Sequence, residues 1–235
     1  LSITGAKTYL DYIKYLDTYP AEYQKLTDDF TIQVSSFFRN PNTFQQVASL
    51  ILPELVNFKE NQNKYDLRFW SAGCAHGEEP YSISIMLMEF LGELQHNFDI
   101  SIYATDINQT ALQEAKSGLC PVKNIDDNLN SIIIKKYFTY HGKDYAVNND
   151  IRQKVLFSYF DLTSKFQFLT EVDCIFCCNV LIYLQPQLQQ KVIGKLYDSL
   201  ATPGYLILGE VETLPGNFND KLRCLDKRAK IYKKE

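Results

Sequence analysis

The most informative stretch of this sequence places two glutamates, whose side chains could do chemistry, after a run of small residues. Residues 67–82 read LRFWSAGCAHGEEPYS, which predicts a strand, a turn of small residues, and a helix whose start carries Glu78 and Glu79. Such a turn lets a ligand approach the backbone closely. A second apolar strand ends at Asp106, the position at which nucleoside-binding α/β folds hold a ribose. Together these residues predict a site for a nucleoside cofactor.

The glycine pattern favours a cofactor without a pyrophosphate. It reads Gly73-Cys-Ala-His-Gly77 instead of GxGxxG, and carboxylates at the start of a helix would repel a phosphate there. S-adenosylmethionine carries an ammonium and a sulfonium, so it fits these residues better than NAD. Taken alone, the motif is equally compatible with an ordinary strand–turn–helix unit whose glutamates are exposed.

The elements that must position these residues alternate between strand and helix. This alternation predicts an α/β fold, with a doubly wound and mostly parallel sheet covered by helices on both faces. Apolar runs predict strands over residues 67–73, 100–107, 171–180, 205–208 and 229–232. Helical spacing predicts helices over residues 44–55, 80–94, 109–116 and 185–200, the first of which should end near Pro53. The basic residues 227–234 are expected to form a solvated edge strand.

Two stretches depart from the alternation. Residues 132–161 predict a small antiparallel β insert, with a hairpin that turns at residues 141–143 and a further strand over residues 155–160. Residues 1–30 are polar and rich in tyrosine, and we expect a remnant N-terminal helical segment, the tail of a helical domain with its linker. Because Leu1 is not an initiator methionine, a fragment or a processed chain is expected. The main domain would then span residues 31–235.

The composition argues against several classes of protein. The chain of 235 residues has a net charge of −4, so we expect no nucleic-acid partner. No apolar run reaches the roughly 20 residues of a membrane-spanning helix, so membrane insertion is not expected. Six scattered cysteines predict reduced thiols in a cytoplasmic protein. Cys174 and Cys177 form a CxxC, but on a strand their side chains would diverge, so no metal site is expected.

Five motifs, taken in order, closely resemble the CheR family of protein-glutamate methyltransferases. They are SSFFR (residues 35–39), WSAGCAHGEEPYS (70–82), ATDI (104–107), AKSG (115–118) and FCCNVLIY (176–183). Members of this family use S-adenosylmethionine to methylate glutamate side chains of bacterial chemoreceptors. The resemblance implies a methyltransferase fold, S-adenosylmethionine as cofactor with S-adenosylhomocysteine as product, and a role in chemotaxis adaptation. The implied partner is a chemoreceptor cytoplasmic domain or another protein substrate, and we expect a monomer.

The resemblance also implies which residues act. Arg39 and Tyr183 would be the catalytic residues at the methyl-transfer centre, and Asp106 would hold the ribose. No metal is implied. The implied cofactor-binding residues are Gln33, Ser35, Arg39, Ala72, Glu78, Asp106, Asp161, Leu162, Asn179 and Val180.

Four positions differ from the family pattern. Gln33 replaces an asparagine and Ser35 a threonine. Asp161 replaces an asparagine, which exchanges an amide for an acceptor-only group when ionised. Cys178 replaces an arginine, which removes a fixed positive charge that could hold an acidic substrate. Two alternatives therefore stay open: a non-catalytic regulatory module that binds the cofactor or its product, and a methyltransferase that acts on a different acidic substrate.

Overall fold

The computed structural model of this chain describes residues 4–30, 35–122, 125 and 129–235. The strands are β1 (Asp66–Ala72), β2 (Asp99–Asp106), β3 (Leu119–Pro121), β4 (Phe138–His141), β5 (Asp144–Val147), β6 (Val155–Tyr159), β7 (Val172–Cys177), β8 (Leu200–Leu208), β9 (Arg223–Asp226) and β10 (Ile231–Lys234). The α-helices are α1 (Tyr9–Thr18), α2 (Ala21–Phe30), α3 (Pro41–Gln46), α4 (Leu52–Asn61), α5 (Glu78–Leu91), α6 (Gln109–Ser117), α7 (Ser131–Tyr137), α8 (Asn149–Arg152) and α9 (Pro186–Ser199).

A large sheet has the strand order β6-β2-β1-β7-β8-β10-β9. Strands β6, β2, β1, β7 and β8 are parallel, whereas β10 is antiparallel to both β8 and β9. The predicted α/β fold with a mostly parallel sheet is therefore confirmed. Because the carboxyl ends of parallel strands meet at one edge of a sheet, the loops after β1, β2, β6 and β7 converge there.

Two apolar cores cover the two faces of the large sheet, because side chains alternate along each strand. On β1, Phe69 packs into the core that includes α5, whereas Trp70 packs into the core that includes α9. The indole nitrogen of Trp70 donates a hydrogen bond to Thr105 Oγ1 at 2.9 Å, so its buried polar atom has a partner. The ring of Trp70 also meets that of Phe160 edge-on, with 6.1 Å between centroids.

The two thiols of the CxxC lie on opposite faces of β7. Cys174 belongs to the core with α5, and Cys177 belongs to the core with α9. This confirms the expected divergence of the two side chains. Burial raises the pKa of each thiol well above its usual value. Within the described ranges, no group of three or more His, Cys, Asp or Glu side chains could hold a metal ion.

The helix before β1 is longer than the sequence predicts. Helix α3 leads into a π-helical segment (Val47–Ile51), and α4 continues to Asn61. Pro53 lies in the first turn of α4, where a missing N–H is tolerated. The expected end of the helix near Pro53 is therefore wrong.

An ion pair is buried between α4 and the start of β7. The ammonium of Lys59 lies 2.9 Å from Asp173 Oδ1, and the two side chains are only 7% and 3% exposed. The other carboxylate oxygen of Asp173 accepts a hydrogen bond from the backbone N–H of Arg68 at 2.8 Å. Buried charges are tolerated when they are paired and hydrogen-bonded in this way.

A small antiparallel sheet has the strand order β3-β5-β4. Its β4–β5 hairpin matches the predicted turn, but its third strand is β3, which follows α6. Strand β6 is not part of this sheet, since it pairs in parallel with β2 at the edge of the large sheet. Val155 and Phe157 of β6 pack into the core with α5, which explains this placement.

The basic C-terminal residues form an interior strand, so the expected solvated edge strand is wrong. Strand β10 lies between β8 and β9, and Ile231 and Tyr232 are buried. Lys233 forms an ion pair with Glu54 at 2.7 Å. The long lysine stem lets the charged end reach a partner outside the core while the backbone stays inside the sheet.

The N-terminal residues that the structure describes are helical. Helix α1 begins with a capping box, in which Thr8 and Asp11 each accept a hydrogen bond from the other's backbone N–H, both at 3.1 Å. The division of the chain near residue 30 stays a prediction. No described helix combines the length and the apolar character needed to cross a bilayer.

Candidate active site

A cavity of about 320 Å³ opens at the carboxyl edge of the large sheet, where the four loops converge. This volume lies at the lower end of the range for small-molecule sites. The predicted site residues that line it are Ser35, Arg39, Asp106, Asp161, Leu162, Asn179, Val180 and Tyr183. It is also lined by Ser36, Phe44, Gly73, Ala75, Glu79, Ile107, Phe160, Thr163, Cys178 and Leu184.

The other predicted cofactor-binding residues are not part of this lining. Gln33 lies outside the described residues. Ala72, at the end of β1, is fully buried, and Glu78 is only 3% exposed in the first turn of α5. Their contact with a cofactor stays a prediction, whereas the adjacent Glu79 lines the cavity.

The turn after β1 is folded onto the end of β2. Gly73 has a φ of +94°, which favours glycine, and its N–H donates to the carbonyl of Thr105 at 2.8 Å. A Cβ atom on Gly73 would overlap Cγ2 of Val180, in the segment that follows β7. Gly73 is therefore the residue that lets these two walls of the cavity meet.

Asp106 is held in place by the same turn. Its Oδ2 accepts a hydrogen bond from the N–H of Ala75 at 2.9 Å, and its Oδ1 accepts one from the N–H of Asn108 at 2.8 Å. The side chain is largely buried but lines the cavity. Since a carboxylate offers about four acceptor sites, both oxygens can also receive hydroxyl groups of a ligand.

Glu79 is the carboxyl that faces the cavity from the start of α5. Its Oε1 accepts a hydrogen bond from Ser71 Oγ at 2.7 Å. Burial raises the pKa of Glu79 to about 7; hydrogen bonds from Ser71 and Cys178 oppose the rise, the charge of Glu212 adds to it, and Arg39 opposes it. This carboxyl therefore changes its charge near neutral pH.

The resemblance implies Glu78 rather than the adjacent Glu79, which lines the cavity, and two adjacent helical residues point about 100° apart. The packing of α5 against the sheet decides which of the two glutamates faces the ligand, and a single sequence carries no signal for it. Phe160 was missed for a similar reason. It follows β6, a strand that the sequence placed in the insert rather than in the large sheet.

The loop after β6 is fixed by a lysine of α9. Lys195 Nζ donates to the carbonyl oxygens of Leu162 and Ser164, at 2.7 and 2.6 Å. Within the loop, Asp161 Oδ1 accepts hydrogen bonds from the N–H and the hydroxyl of Thr163, both at 2.7 Å. An asparagine oxygen can make the same turn, so the Asp161 departure preserves the local backbone.

The segment after β7 brings an amide and a phenol to the cavity. Asn179 has a φ of +61°, a conformation that asparagine tolerates better than most residues. Its Oδ1 is buried and has no hydrogen-bond partner among the residues that the structure describes. Tyr183 ends a short 3₁₀ helix (Leu181–Tyr183) and is 56% exposed at the mouth of the cavity.

Arg39 reaches the cavity from the residues that precede α3. The fully buried Phe37 packs edge-on against Phe138, and the N–H of Phe38 donates to Ser82 Oγ at 2.8 Å. These contacts attach the Arg39 loop to the small sheet and to α5. Arg39 thereby comes close enough to Glu79 for its charge to oppose the rise that burial causes in the pKa of that carboxyl.

Cys178 lines the cavity beside Glu79 and Asn179. Burial raises the pKa of its thiol well above the usual value, so the thiol stays protonated at neutral pH. The cavity wall is therefore neutral at position 178. The predicted site residue that brings a positive charge to the cavity is Arg39.

Comparison with known proteins identifies the family of this chain. The family described as "CheR methyltransferase, SAM binding domain" matches residues 33–231. The chain is 34% identical over 223 residues to the "Chemotaxis protein methyltransferase" of Borreliella burgdorferi, which covers 93% of this chain and 78% of that protein. It is 33% identical to the "Chemotaxis protein methyltransferase Cher2" of Pseudomonas putida, over 82% of this chain and 70% of that protein.

The family match covers most of the chain and contains the whole described cavity from Ser35 to Leu184. It confirms the resemblance carried by the five motifs and confirms S-adenosylmethionine as the cofactor. The chain belongs to the CheR methyltransferase family and is an S-adenosylmethionine-dependent methyltransferase.

Proposed function

We propose that this chain transfers the methyl group of S-adenosylmethionine to glutamate side chains of a bacterial chemoreceptor during chemotaxis adaptation. The observation that carries the proposal is the convergence of Asp106, Glu79, Arg39 and Tyr183 on one cavity at the carboxyl edge of the parallel strands. The names of the relatives as chemotaxis protein methyltransferases support the choice of substrate.

The polar groups of the cofactor have matching partners in the cavity. Asp106 would accept hydrogen bonds from the ribose hydroxyls. The ammonium would donate to Glu79 and to the buried Asn179 Oδ1, which has no partner among the described residues. Arg39 would bind the carboxylate. A buried acceptor without a partner is costly, so a bound ammonium also explains why Asn179 is tolerated there.

The adenine would lie along the loop after β6. Phe160 and Leu162 offer apolar surface, and Asp161 offers an acceptor for the exocyclic amino group. Ser35 and Val180 line the remaining parts of the cavity. Asp161 is the residue with an ionisable side chain among residues 160–163 of this wall, and the rest of the wall suits a neutral base.

The reaction requires the protein mainly to align the methyl group with the substrate carboxylate. The cofactor supplies a methyl group that is activated by its sulfonium. A glutamate substrate is already ionised near neutral pH, because its reference pKa is about 4.3, so no general base is needed. The half-exposed Tyr183 can donate its phenolic hydrogen to one carboxylate oxygen of an incoming side chain. A neutral donor orients the carboxylate without removing its nucleophilicity.

The decisive experiment is transfer of labelled methyl groups to a chemoreceptor cytoplasmic domain. We expect base-labile methyl esters on glutamate side chains. Tyr183→Phe should lower kcat by about 10- to 100-fold, the effect of losing a hydrogen bond to a charged group, and should leave S-adenosylhomocysteine affinity nearly unchanged. Tyr65→Phe is the matched control, since Tyr65 is similarly exposed but precedes β1 at the opposite edge of the sheet.

Two results would contradict the proposal and identify its alternatives. Tight binding of S-adenosylhomocysteine without transfer to any receptor fragment would indicate a regulatory module. Label on another residue type, or on a small acid, would indicate a methyltransferase with a different acidic substrate.

Asp106→Ala is expected to weaken S-adenosylhomocysteine binding by about 1–3 kcal/mol, because hydrogen bonds from the ribose to a charged group are lost. Asp106→Asn should lose less, since one acceptor oxygen remains for the turn at Ala75. Calorimetric titration measures both. Asp99→Asn, at the other end of β2, is the control. An unchanged dissociation constant for Asp106→Ala would show that the ribose binds elsewhere.

Binding is expected to release about one proton near pH 6, because an ammonium placed against Glu79 displaces the proton from a carboxyl whose pKa is about 7. The ligand ammonium stays charged there, since α-amino groups titrate at about 7.7–8.0. Calorimetry in two buffers of different ionisation enthalpy measures the release. Glu79→Gln should abolish it, and an equal release from this variant would rule Glu79 out as its source.

The same pKa predicts a pH effect on the ligand-free protein. The folded state holds the Glu79 proton up to about pH 7, whereas the unfolded chain loses it near the usual 4.5. The contribution of Glu79 to stability is therefore present below pH 4.5 and is lost as the pH rises through 7.

A further inference from the structure

One buried carboxylate ties together the segments that follow β7 and β8. Glu212 is only 2% exposed. Its Oε2 accepts hydrogen bonds from the N–H of Gly209 at 2.6 Å and of Asn179 at 2.9 Å. Its Oε1 accepts one from the N–H of Leu181 at 2.7 Å. Three backbone donors from two segments thus share one side chain.

Backbone donors are the partners that the described residues offer to this carboxylate. No lysine, arginine or histidine in the described part of the chain forms an ion pair with Glu212. Hydrogen bonds between an ionised carboxylate and backbone N–H groups are shorter and stronger than neutral ones. Each also removes an N–H that would otherwise be left unsatisfied beside the cavity.

Gly209 shows how closely this arrangement is packed. A Cβ atom at this position would lie 2.8 Å from Glu212 Oε2 and 2.9 Å from the Asn179 nitrogen. A methyl group there would displace the carboxylate or the Asn179 backbone. The glycine is therefore needed for space, independently of its backbone angles.

Two of the three amides that donate to Glu212 belong to the segment after β7, which forms part of the cavity wall. Asn179 sits at a φ of +61°, and Leu181 starts the 3₁₀ helix that ends at Tyr183. From the other side, Gln189 Nε2 donates to the carbonyls of Leu181 and Leu184 at 3.0 and 3.1 Å. Glu212 holds the amide side of this segment, and Gln189 holds its carbonyl side.

We propose that Glu212 is a positioning residue for methyl transfer, which fixes Asn179 toward the cofactor ammonium and Tyr183 toward the substrate carboxylate. This inference rests on the proposed function, because it assigns Glu212 to the residues with which that function binds and orients its reactants. Glu212 itself does not line the cavity.

The test compares Glu212→Gln with Glu210→Gln, an exposed glutamate of the same loop. A glutamine has the same size but can accept on one side only, so at least one of the three amides faces an NH₂ group. We expect Glu212→Gln to weaken S-adenosylhomocysteine binding about tenfold and to lower kcat by about 10- to 100-fold at saturating cofactor. Glu210→Gln should match the wild type in both.

Amide hydrogen exchange provides a readout that does not depend on methyl transfer. In Glu212→Gln, exchange at Asn179, Leu181 and Gly209 should accelerate by more than tenfold while that of the β1 amides stays unchanged. Gly209→Ala should reproduce this local pattern from the other side of the contact, which covers the case that Glu212→Gln does not fold.

The outcomes separate the two proposals. A folded Glu212→Gln variant with wild-type affinity and kcat would overturn the positioning role, as would equal losses in Glu210→Gln or a loss of global stability with kcat unchanged. If the wild type itself transfers no methyl group to receptor glutamates, the proposed function fails. The positioning of Asn179 then stands on local exchange together with weakened S-adenosylhomocysteine binding.

Discussion

Replacing Lys59 by methionine is expected to lower the free energy of unfolding by about 3–5 kcal/mol, the typical cost of breaking a buried ion pair. Asp173, with a side chain only 3% exposed, loses an ammonium at 2.9 Å. It can avoid a buried unpaired charge by taking up a proton, and burial already raises its pKa in the wild type against the opposing effects of Arg68 N–H and Lys59. The loss should therefore be larger at about pH 8 than at about pH 5.

Urea unfolding at these two pH values measures the effect. Lys64→Met is the control, because Lys64 is exposed just beyond the same helix, and its change should stay within about 0.5 kcal/mol. Adding Asp173→Leu to Lys59→Met should restore only part of the stability, since the Arg68 N–H then loses its acceptor. If Lys59→Met costs no more than Lys64→Met, the pair does not stabilise the fold.

Gly73→Ala is expected to destabilise the fold by about 2–6 kcal/mol and to prevent measurable cofactor binding. A non-glycine residue at positive φ costs about 1–3 kcal/mol of strain, and overpacking costs about a further 1–3 kcal/mol. The new methyl group would overlap Cγ2 of Val180, so the two cavity walls must separate. Urea unfolding and calorimetric titration with S-adenosylhomocysteine measure the two effects.

Two further variants separate strain from overlap. Gly142→Ala has a φ of +77° but open space around the new Cβ, so it should show the strain alone and bind ligand normally. Val180→Ala combined with Gly73→Ala removes the overlap and should recover stability, but not to the wild-type level. Ligand affinity equal to wild type in Gly73→Ala alone would mean that the cofactor does not contact this turn.

Local patterning was sufficient to predict the parallel strands and their helices. Strands β1, β2 and β7 are apolar runs long enough to be buried on both faces, and α5 and α9 show helical spacing over fourteen residues each. Asp106 could be placed because the acid that ends the second strand is fixed by topology. Its position on the cavity follows from the parallel pairing of β2 with β1, because the alternation of strands and helices predicts a mostly parallel sheet.

The remaining differences come from packing at a distance. Pro53 is compatible with a helix only because it falls at a helical first turn after a π segment, and the amino-acid pattern does not reveal that change of pitch. Strand β10 has a basic composition typical of an edge, yet β9 pairs outside it. The choice between Glu78 and Glu79 depends on the rotation of α5, which the opposing core determines.

The motifs predicted residues of the functional loops, but they did not predict the hydrogen bonds that join one loop to another. Asn179 and Tyr183 were identified from the resemblance, whereas Glu212, which binds the backbone of the same segment, lies 33 residues from Asn179 in sequence. When the hydrogen-bond donors to a carboxylate are backbone amides, no complementary charged side chain is needed. The sequence then contains no charge pattern that would reveal the contact. Such contacts become visible only when the two loops are seen together.

The edge-on contact between Trp70 and Phe160 provides the protein with its own optical signal. The chain contains one tryptophan, and its buried indole touches a ring that lines the cofactor cavity. Ligand entry that shifts Phe160 will alter the emission intensity of this indole, and unfolding will move its emission to longer wavelength as water reaches it. One fluorescence channel can therefore follow both occupancy and denaturation without any attached dye.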